Sequence, residues 1–252
     1  MLKGDHLMLI VEKLSKRFDK LVAVSDVSFT VKPNEIYGFL GHNGAGKTTT
    51  LKMCTGLLSP DQGRVKICDY DVVSDALKAK ASFGYVGDSP YLFKHLTGRE
   101  YLELLIEVYK LKDKALAIER MNELLDEFDM TQDADRLMGT YSLGMKRKIS
   151  LCGAFLHQPS VVFLDEPTNG LDAASAKVAK DLIRRHANQG CAIVLTTHVL
   201  EIAERMCDRI GIISNGKIIA EGTFEELKEA YSSADSTLED IFLNLVNNDE
   251  KK

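Results

Sequence analysis

The stretch Gly41-His42-Asn43-Gly44-Ala45-Gly46-Lys47-Thr48-Thr49 constrains this chain more than any other. Before it runs Ile36-Tyr37-Gly38-Phe39-Leu40, which reads as a buried strand. After it, Thr50-Leu51-Lys52-Met53-Cys54 reads as the first turns of a helix. A glycine loop between a strand and a helix, closed by Lys-Thr, is the setting in which this spacing binds phosphate. Glycines at 41, 44 and 46 allow backbone angles that a Cβ forbids, so successive N–H groups can turn into one concavity. The helix start adds unpaired donors and the positive end of its dipole. Lys47 is long enough to reach β- and γ-phosphates, and the Thr48 hydroxyl suits a magnesium ion.

The rest of the sequence alternates around that loop. Leu7 to Val11 reads as one strand and Leu21 to Val31 as a second, broken near its middle, with Lys16-Arg17-Phe18-Asp19 between them. Phe18 on its own reads as an ordinary half-buried aromatic, although its ring has a face on which a base can stack. Arg64 to Cys68 and Ala81 to Val86 read as further strands. Residues 97 to about 156 change character and read as three helices. The first opens on a capping box, Thr97-Gly98-Arg99-Glu100; the second covers Ala115 to Phe128; the third follows Tyr141-Ser142-Leu143-Gly144-Met145. Strand and helix then alternate again, with buried strands at Val161 to Leu164 and Ala192 to Leu195 and helices at Ala173 to Arg185 and Leu200 to Met206. Arg209 to Glu221 reads as a hairpin turning on Asn215-Gly216, and a charged helical tail follows Phe224.

Two carboxylates, Asp165-Glu166, end the Val161 strand, a costly arrangement unless positive charge answers them. A magnesium-nucleotide does so: Asp165 can hold the ion through water, and Glu166 stands where it can polarise a water for attack on a γ-phosphate. Thr196-Thr197-His198 ends a neighbouring strand and puts an imidazole within reach of the same phosphate. Ser142-Leu143-Gly144 opens a helix and offers a second anion site, which one chain does not need for the same phosphate. Ser142 of one copy closing on the nucleotide held by another copy accounts for both sites.

These motifs, in this order, resemble the nucleotide-binding subunits of ABC transporters over residues 7 to 222. Gly41 to Thr49 match the Walker A motif, Tyr141 to Met145 the signature, Val161 to Glu166 Walker B, Gly170-Leu171-Asp172 the D-loop, and His198 the switch histidine. Phe18 falls at the adenine-stacking position. The resemblance implies an α/β fold: a P-loop NTPase (RecA-like) core with an antiparallel β subdomain and an inserted α-helical subdomain. The expected division is an ATPase domain over 1–224, with the helical part at about 90–156, and a helical tail over 225–252. It further implies ATP hydrolysis with Glu166 as base, assisted by His198 and Lys47. The ATP contacts would come from Phe18, Gly41, His42, Asn43, Gly44, Ala45, Gly46, Lys47, Thr48, Thr49, Ser142 and Gly144, and the Mg2+ contacts from Thr48, Asp88 and Asp165. Partners would be a second ATP-binding subunit, either the same chain or a paralogue, and a separate integral membrane permease.

Two motifs depart from the family pattern: Leu143 and Met145 stand where the signature has glycine and glutamine, and Asp88 stands at the Q-loop glutamine. With the ending Leu238 to Leu243, these features are similar to bacterial exporters of the drug- and bacteriocin-resistance type. Composition bears on the alternatives. A net charge of −5 gives no global basic field, so nucleic acid is not an expected partner. No apolar run reaches the roughly 18 residues that span a bilayer, so the expected place is the cytoplasmic face of the membrane, held there by the permease. The five cysteines are scattered without a Cys-x-x-Cys pair and read as free thiols. A soluble ABC ATPase of DNA repair or translation is the rival. Repair members carry a very long coiled coil for which the stretch from Lys47 to Ser142 is too short, and translation members carry two cassettes. A GTPase would need an Asn-Lys-x-Asp motif, which the sequence lacks. The intact Lys47, Asp165, Glu166 and His198 speak against a non-hydrolysing regulator.

Overall fold

The computed structural model describes residues 7–89, 93–231 and 237–249. The chain opens with a long antiparallel pair, β1 (Leu9–Phe18) and β2 (Leu21–Val31). β1 runs seven residues past Val11, where its apolar run stops. The register slips between Val11 and Leu14 and again before Arg17, and Lys13 takes φ 51°. A bulge of this kind breaks the two-residue period while pairing continues, so the polar run Lys16-Arg17 is strand and not the loop its composition suggests.

β3 (Ile36–Leu40), the glycine loop and α1 (Lys47–Cys54) follow as expected. Next come β4 (Gln62–Ile67), a short β5 (Tyr70–Asp71) and α2 (Ala76–Ala81). α2 takes up residues before β6 (Phe83–Val86), so the strand starts two residues later than Ala81. A six-residue helix completes too few turns to show a helical period in sequence.

The helical block consists of α3 (Gly98–Val108), α4 (Lys114–Glu127) and α5 (Leu143–Leu156), with a 3-10 turn at Met138–Thr140. The Thr97 capping box forms as read: Thr97 Oγ1 accepts from Glu100 N, and a Glu100 carboxylate oxygen accepts from Thr97 N. The second half of the chain gives β7 (Val161–Asp165), α6 (Ala173–Asn188), β8 (Ala192–Thr197), α7 (Leu200–Met206), β9 (Arg209–Ser214), β10 (Lys217–Gly222), α8 (Phe224–Tyr231) and α9 (Leu238–Asp249). Asn215 and Gly216, between β9 and β10, both have positive φ, as a type I′ turn requires.

Two sheets result. One is antiparallel with strand order β2-β1-β4-β5. The other has order β10-β9-β3-β8-β7-β6 and is parallel except for its β9–β10 edge. The central strands are buried on both faces, and their residues sort strictly by parity. Ile36, Val162, Leu164, Ile193 and Leu195 face the core shared with α5, α6 and the helical block. Tyr37, Phe39, Val161, Phe163 and Val194 face the core shared with α1 and the antiparallel sheet. A third, smaller core joins Leu40, Ile210 and Ile212 to Ala203 of α7, Leu227 of α8 and Leu238 and Ile241 of α9. The five cysteines are unpaired, three of them buried and Cys68 and Cys207 partly so. No helix among the described residues is long and apolar enough to cross a membrane.

Candidate nucleotide-binding site

The parallel strands β3, β7 and β8 end side by side, as in open α/β sheets where ligands bind beyond the carboxyl ends of the strands. Beyond those ends lies a cavity of about 650 Å³. Its walls include Gly44, Gly46, Lys47, Thr48 and Thr49 from the loop, Asp165 and Glu166 from β7 and its turn, and His198 after β8. Asp88 comes from the turn after β6, and Phe18 with Leu21 to Ala23 from the β1–β2 hairpin. The structure therefore gathers most of the residues singled out from sequence around one space. Phe18 sits at the rim, 45% exposed, with Lys16 Nζ 5.7 Å from the ring centroid.

The loop is held open from behind. Gly46 has φ 111°, and a Cβ there would stand 2.7 Å from the carbonyl oxygen of Ala23, so the loop lies against β2 at a distance only glycine allows. Gly216 N donates to Ala45 O at 2.9 Å and Ser25 N donates to Gly216 O at 2.8 Å, which ties the loop to the β9–β10 turn and to β2. Gly44 faces the other way: nothing lies within 4 Å of its missing side chain. Gly41 and Ala45 are buried, and His42 Nδ1 contacts Asn43 O at 2.8 Å. No side chain caps α1, so its first N–H groups remain available to an anion. Lys47 is a mostly buried residue, and its Nζ donates to Gly41 O at 2.6 Å and to His42 O at 3.1 Å. Burial pulls its ammonium below the ordinary lysine range, against the upward pull of Glu166 and Asp165.

Asp165 is 1% exposed and both its carboxylate oxygens are engaged. Thr48 Oγ1 donates to Oδ2 at 2.8 Å and Thr196 Oγ1 donates to Oδ1 at 2.5 Å. Glu166 takes φ 50°, the left-handed region, and its N–H donates to Thr196 O at 3.2 Å. Its Oε1 accepts from His198 Nδ1 at 2.8 Å; the Glu166 side chain is 14% exposed and that of His198 52%. The residues fit a magnesium-nucleotide. The described residues contain no cluster of three side chains able to hold a metal alone. A cation here would need substrate oxygens besides Thr48 and the carboxylates, the usual arrangement for Mg2+ on a nucleotide.

Residues 24–169 match the ABC transporter family. The chain belongs to that family. It is 34% identical over 242 residues to the ABC-type transporter ATP-binding protein EcsA of Bacillus subtilis, covering 96% of this chain and 98% of the relative. It is 40% identical over 229 residues to the doxorubicin resistance ATP-binding protein DrrA of Mycobacterium tuberculosis, covering 90% of this chain and 69% of that protein. A solved structure of the ATP-binding subunit of an ABC transporter superimposes with a TM-score of 0.90 at 32% identity, covering 94% of this chain and 99% of that one. The protein is thus an ATP-binding subunit and ATPase of this family, with its P-loop fold.

In this ABC ATPase the signature residues stand apart from the cavity. Ser142 is the N-cap of α5, its hydroxyl accepting from Met145 N at 3.2 Å. Leu143, 56% exposed, lies over Gly170, where a Cβ would meet its side chain at 2.9 Å. Gly144 approaches the same turn: a Cβ on it would stand 3.0 Å from Gly170 O. By family resemblance Tyr91-Leu92-Phe93 would offer apolar side chains to a permease helix; Tyr91 and Leu92 lie outside the described residues, and Phe93 itself is exposed.

One site residue escaped the sequence reading. Arg147 on α5 is 1% exposed, the largest of the fully buried side chains. Between Lys146 and Lys148 it reads as surface charge. Its spacing to the buried Leu151, Ala154 and Phe155 places it on the inward stripe of α5, and that period is the signal in sequence that finds it.

Proposed function

We propose that this subunit powers export of a small molecule through a separate membrane permease, and that the cavity around Lys47 is where ATP is bound and cleaved. The observation that carries the site is the convergence on one cavity of an uncapped helix start, a buried lysine and the Asp165-Glu166-His198 group. Phosphates would take over Lys47 from the carbonyls of Gly41 and His42 and draw on the N–H groups from Gly44 to Thr49, with Phe18 as the platform for adenine. Mg2+, held by Thr48 with Asp165 acting through water and Asp88 alongside, would neutralise charge developing on the phosphates. Asp165 accepts one hydrogen bond on each oxygen, from Thr48 and Thr196, so it orients the Thr48 hydroxyl and keeps lone pairs for a metal-bound water.

Glu166 takes the proton of the attacking water. His198 holds that carboxylate in place. A neutral His198 that gives its Nδ1–H to Glu166 has only an acceptor left at Nε2. Donation to the γ-phosphate therefore requires a second proton or release of Glu166. Ser142 and Gly144 serve the nucleotide of a second subunit, the same chain or a paralogue, so that two ATP molecules lie between two subunits whose reopening follows hydrolysis. Exposed Phe93 faces the permease, which keeps the subunit at the cytoplasmic face of the membrane. The ATPase unit is 1–224 and the tail 225–252. Drug-resistance relatives support the direction of transport. Purified full-length protein should bind a fluorescent ATP analogue and release phosphate, and Lys47→Ala should lose both. Nucleotide binding that survives Lys47→Ala unchanged would move the site elsewhere.

A further inference from the structure

Arg147 is a buried cation to which no carboxylate among the described residues is hydrogen-bonded. Its Nη1 donates to Gly87 O at 2.6 Å, its Nη2 donates to Asp88 O, and Nη1 also reaches Asp165 O at 3.4 Å. Nε has no partner among the described residues. Two neighbouring carbonyls taken by two nitrogens of one planar group is a fork that guanidinium makes and ammonium does not. The three segments joined are the turn after β6, the end of β7, and α5 five residues beyond Ser142. Burial lowers the guanidinium's hold on its proton, and Asp88, Asp165 and Glu166 oppose this through space. Asp88 and Asp165, whose backbone carbonyls it approaches, and Glu166 next in sequence are the carboxylates that line the cavity.

We propose that Arg147 is a positioning residue for ATP hydrolysis: its clamp on Gly87 and Asp88 holds the Asp88 turn in line with the end of β7, and its charge lets three carboxylates face one triphosphate. This rests on the assignment of the cavity as the hydrolytic site. It accounts for an acidic residue at position 88, where the triphosphate alone would disfavour one. It also gives α5, which starts at the residues meant for a second subunit's nucleotide, a rigid connection to the first subunit's own catalytic strand end.

The test measures kcat, KM and the dissociation constant of a fluorescent ATP analogue for full-length wild type, Arg147→Met, Arg147→Lys, Asp88→Asn and the double variant Asp88→Asn/Arg147→Met. Arg147→Met is expected to lower kcat at least tenfold while the dissociation constant moves less than threefold. Arg147→Lys, which keeps the charge and loses the fork, should fall between it and wild type. The double variant should be no worse than the poorer single variant, because removing the Asp88 charge removes the need for the Arg147 charge. A kcat for Arg147→Met within twofold of wild type, even with a lowered thermal midpoint, would show a packing role only and overturn the proposal. So would losses that multiply in the double variant. If Arg147→Met does not fold, Arg147→Lys decides: wild-type kcat there overturns the clamp. Glu166→Gln run in parallel separates the two readings. Undiminished turnover in that variant removes the base assignment, whereas the Arg147 ratios stand or fall on their own.

Discussion

At the scale of the residue, Glu166 combines features that a merely structural carboxylate would not keep. Its backbone sits at φ 50°, which costs a non-glycine residue on the order of 1–2 kcal/mol, and its side chain is mostly withdrawn from water against His198. The strain turns the carboxylate off the end of β7 toward the cavity. Glu166→Gln keeps the shape and loses the base, so phosphate release should fall roughly 100-fold or more while ATP affinity holds. Steady-state phosphate release alongside nucleotide titration checks this; turnover near wild type would remove Glu166 from the role. Asp88 allows a second residue-scale prediction. It faces the cavity beside Thr48 and Asp165, so Asp88→Ala should shift the magnesium dependence of ATP hydrolysis to higher concentration. A curve that overlays wild type would leave Asp88 with the permease alone.

At the scale of the element, the N-terminus of α5 and the turn at Gly170 form one unit. Leu143 fills the space in which a Gly170 side chain would lie, and Gly170 itself has φ 79°. Gly170→Ala should therefore cost about 1–3 kcal/mol of stability, part strain and part overlap. Adding Leu143→Gly should recover the overlap part and leave the strain. Thermal unfolding of the three proteins measures it, and identical midpoints for Gly170→Ala with and without Leu143→Gly would deny the contact. Elements of this chain were legible in proportion to their local signals. α3 announced itself through its Thr97–Glu100 box, the β9–β10 turn through Asn215-Gly216, and β7 through an unbroken apolar run. The far half of β1 was hidden by a bulge, α2 by its shortness, and Arg147 by two flanking lysines that share its chemistry and not its burial. The glycine loop, Asp165, Glu166 and His198 were all visible in sequence because each ends a strand. Which hydroxyl holds which Asp165 oxygen was not, since Thr196 comes from a strand thirty-one positions away.

At the scale of the whole molecule, Ser142 lies outside the lining of the cavity, and a second subunit is what would bring a Ser142 to a nucleotide. Glu166→Gln with ATP should sediment as a dimer, with ADP as a monomer, and Ser142→Arg in the same background should stay monomeric with ATP. A dimer that forms equally with ADP would disconnect assembly from the γ-phosphate. The third core carries a consequence of another kind. Leu227, Leu238 and Ile241 cover Leu40 and Ile212, at the end of the strand that feeds the phosphate loop and on the strand beside it. A chain ended at Thr223 would keep every motif and still uncover greasy surface directly behind the loop. Its first symptom should be poor recovery as soluble protein, ahead of any loss of chemistry in the molecules that survive. The tail behaves as the keystone of an arch whose stones all lie elsewhere in the sequence.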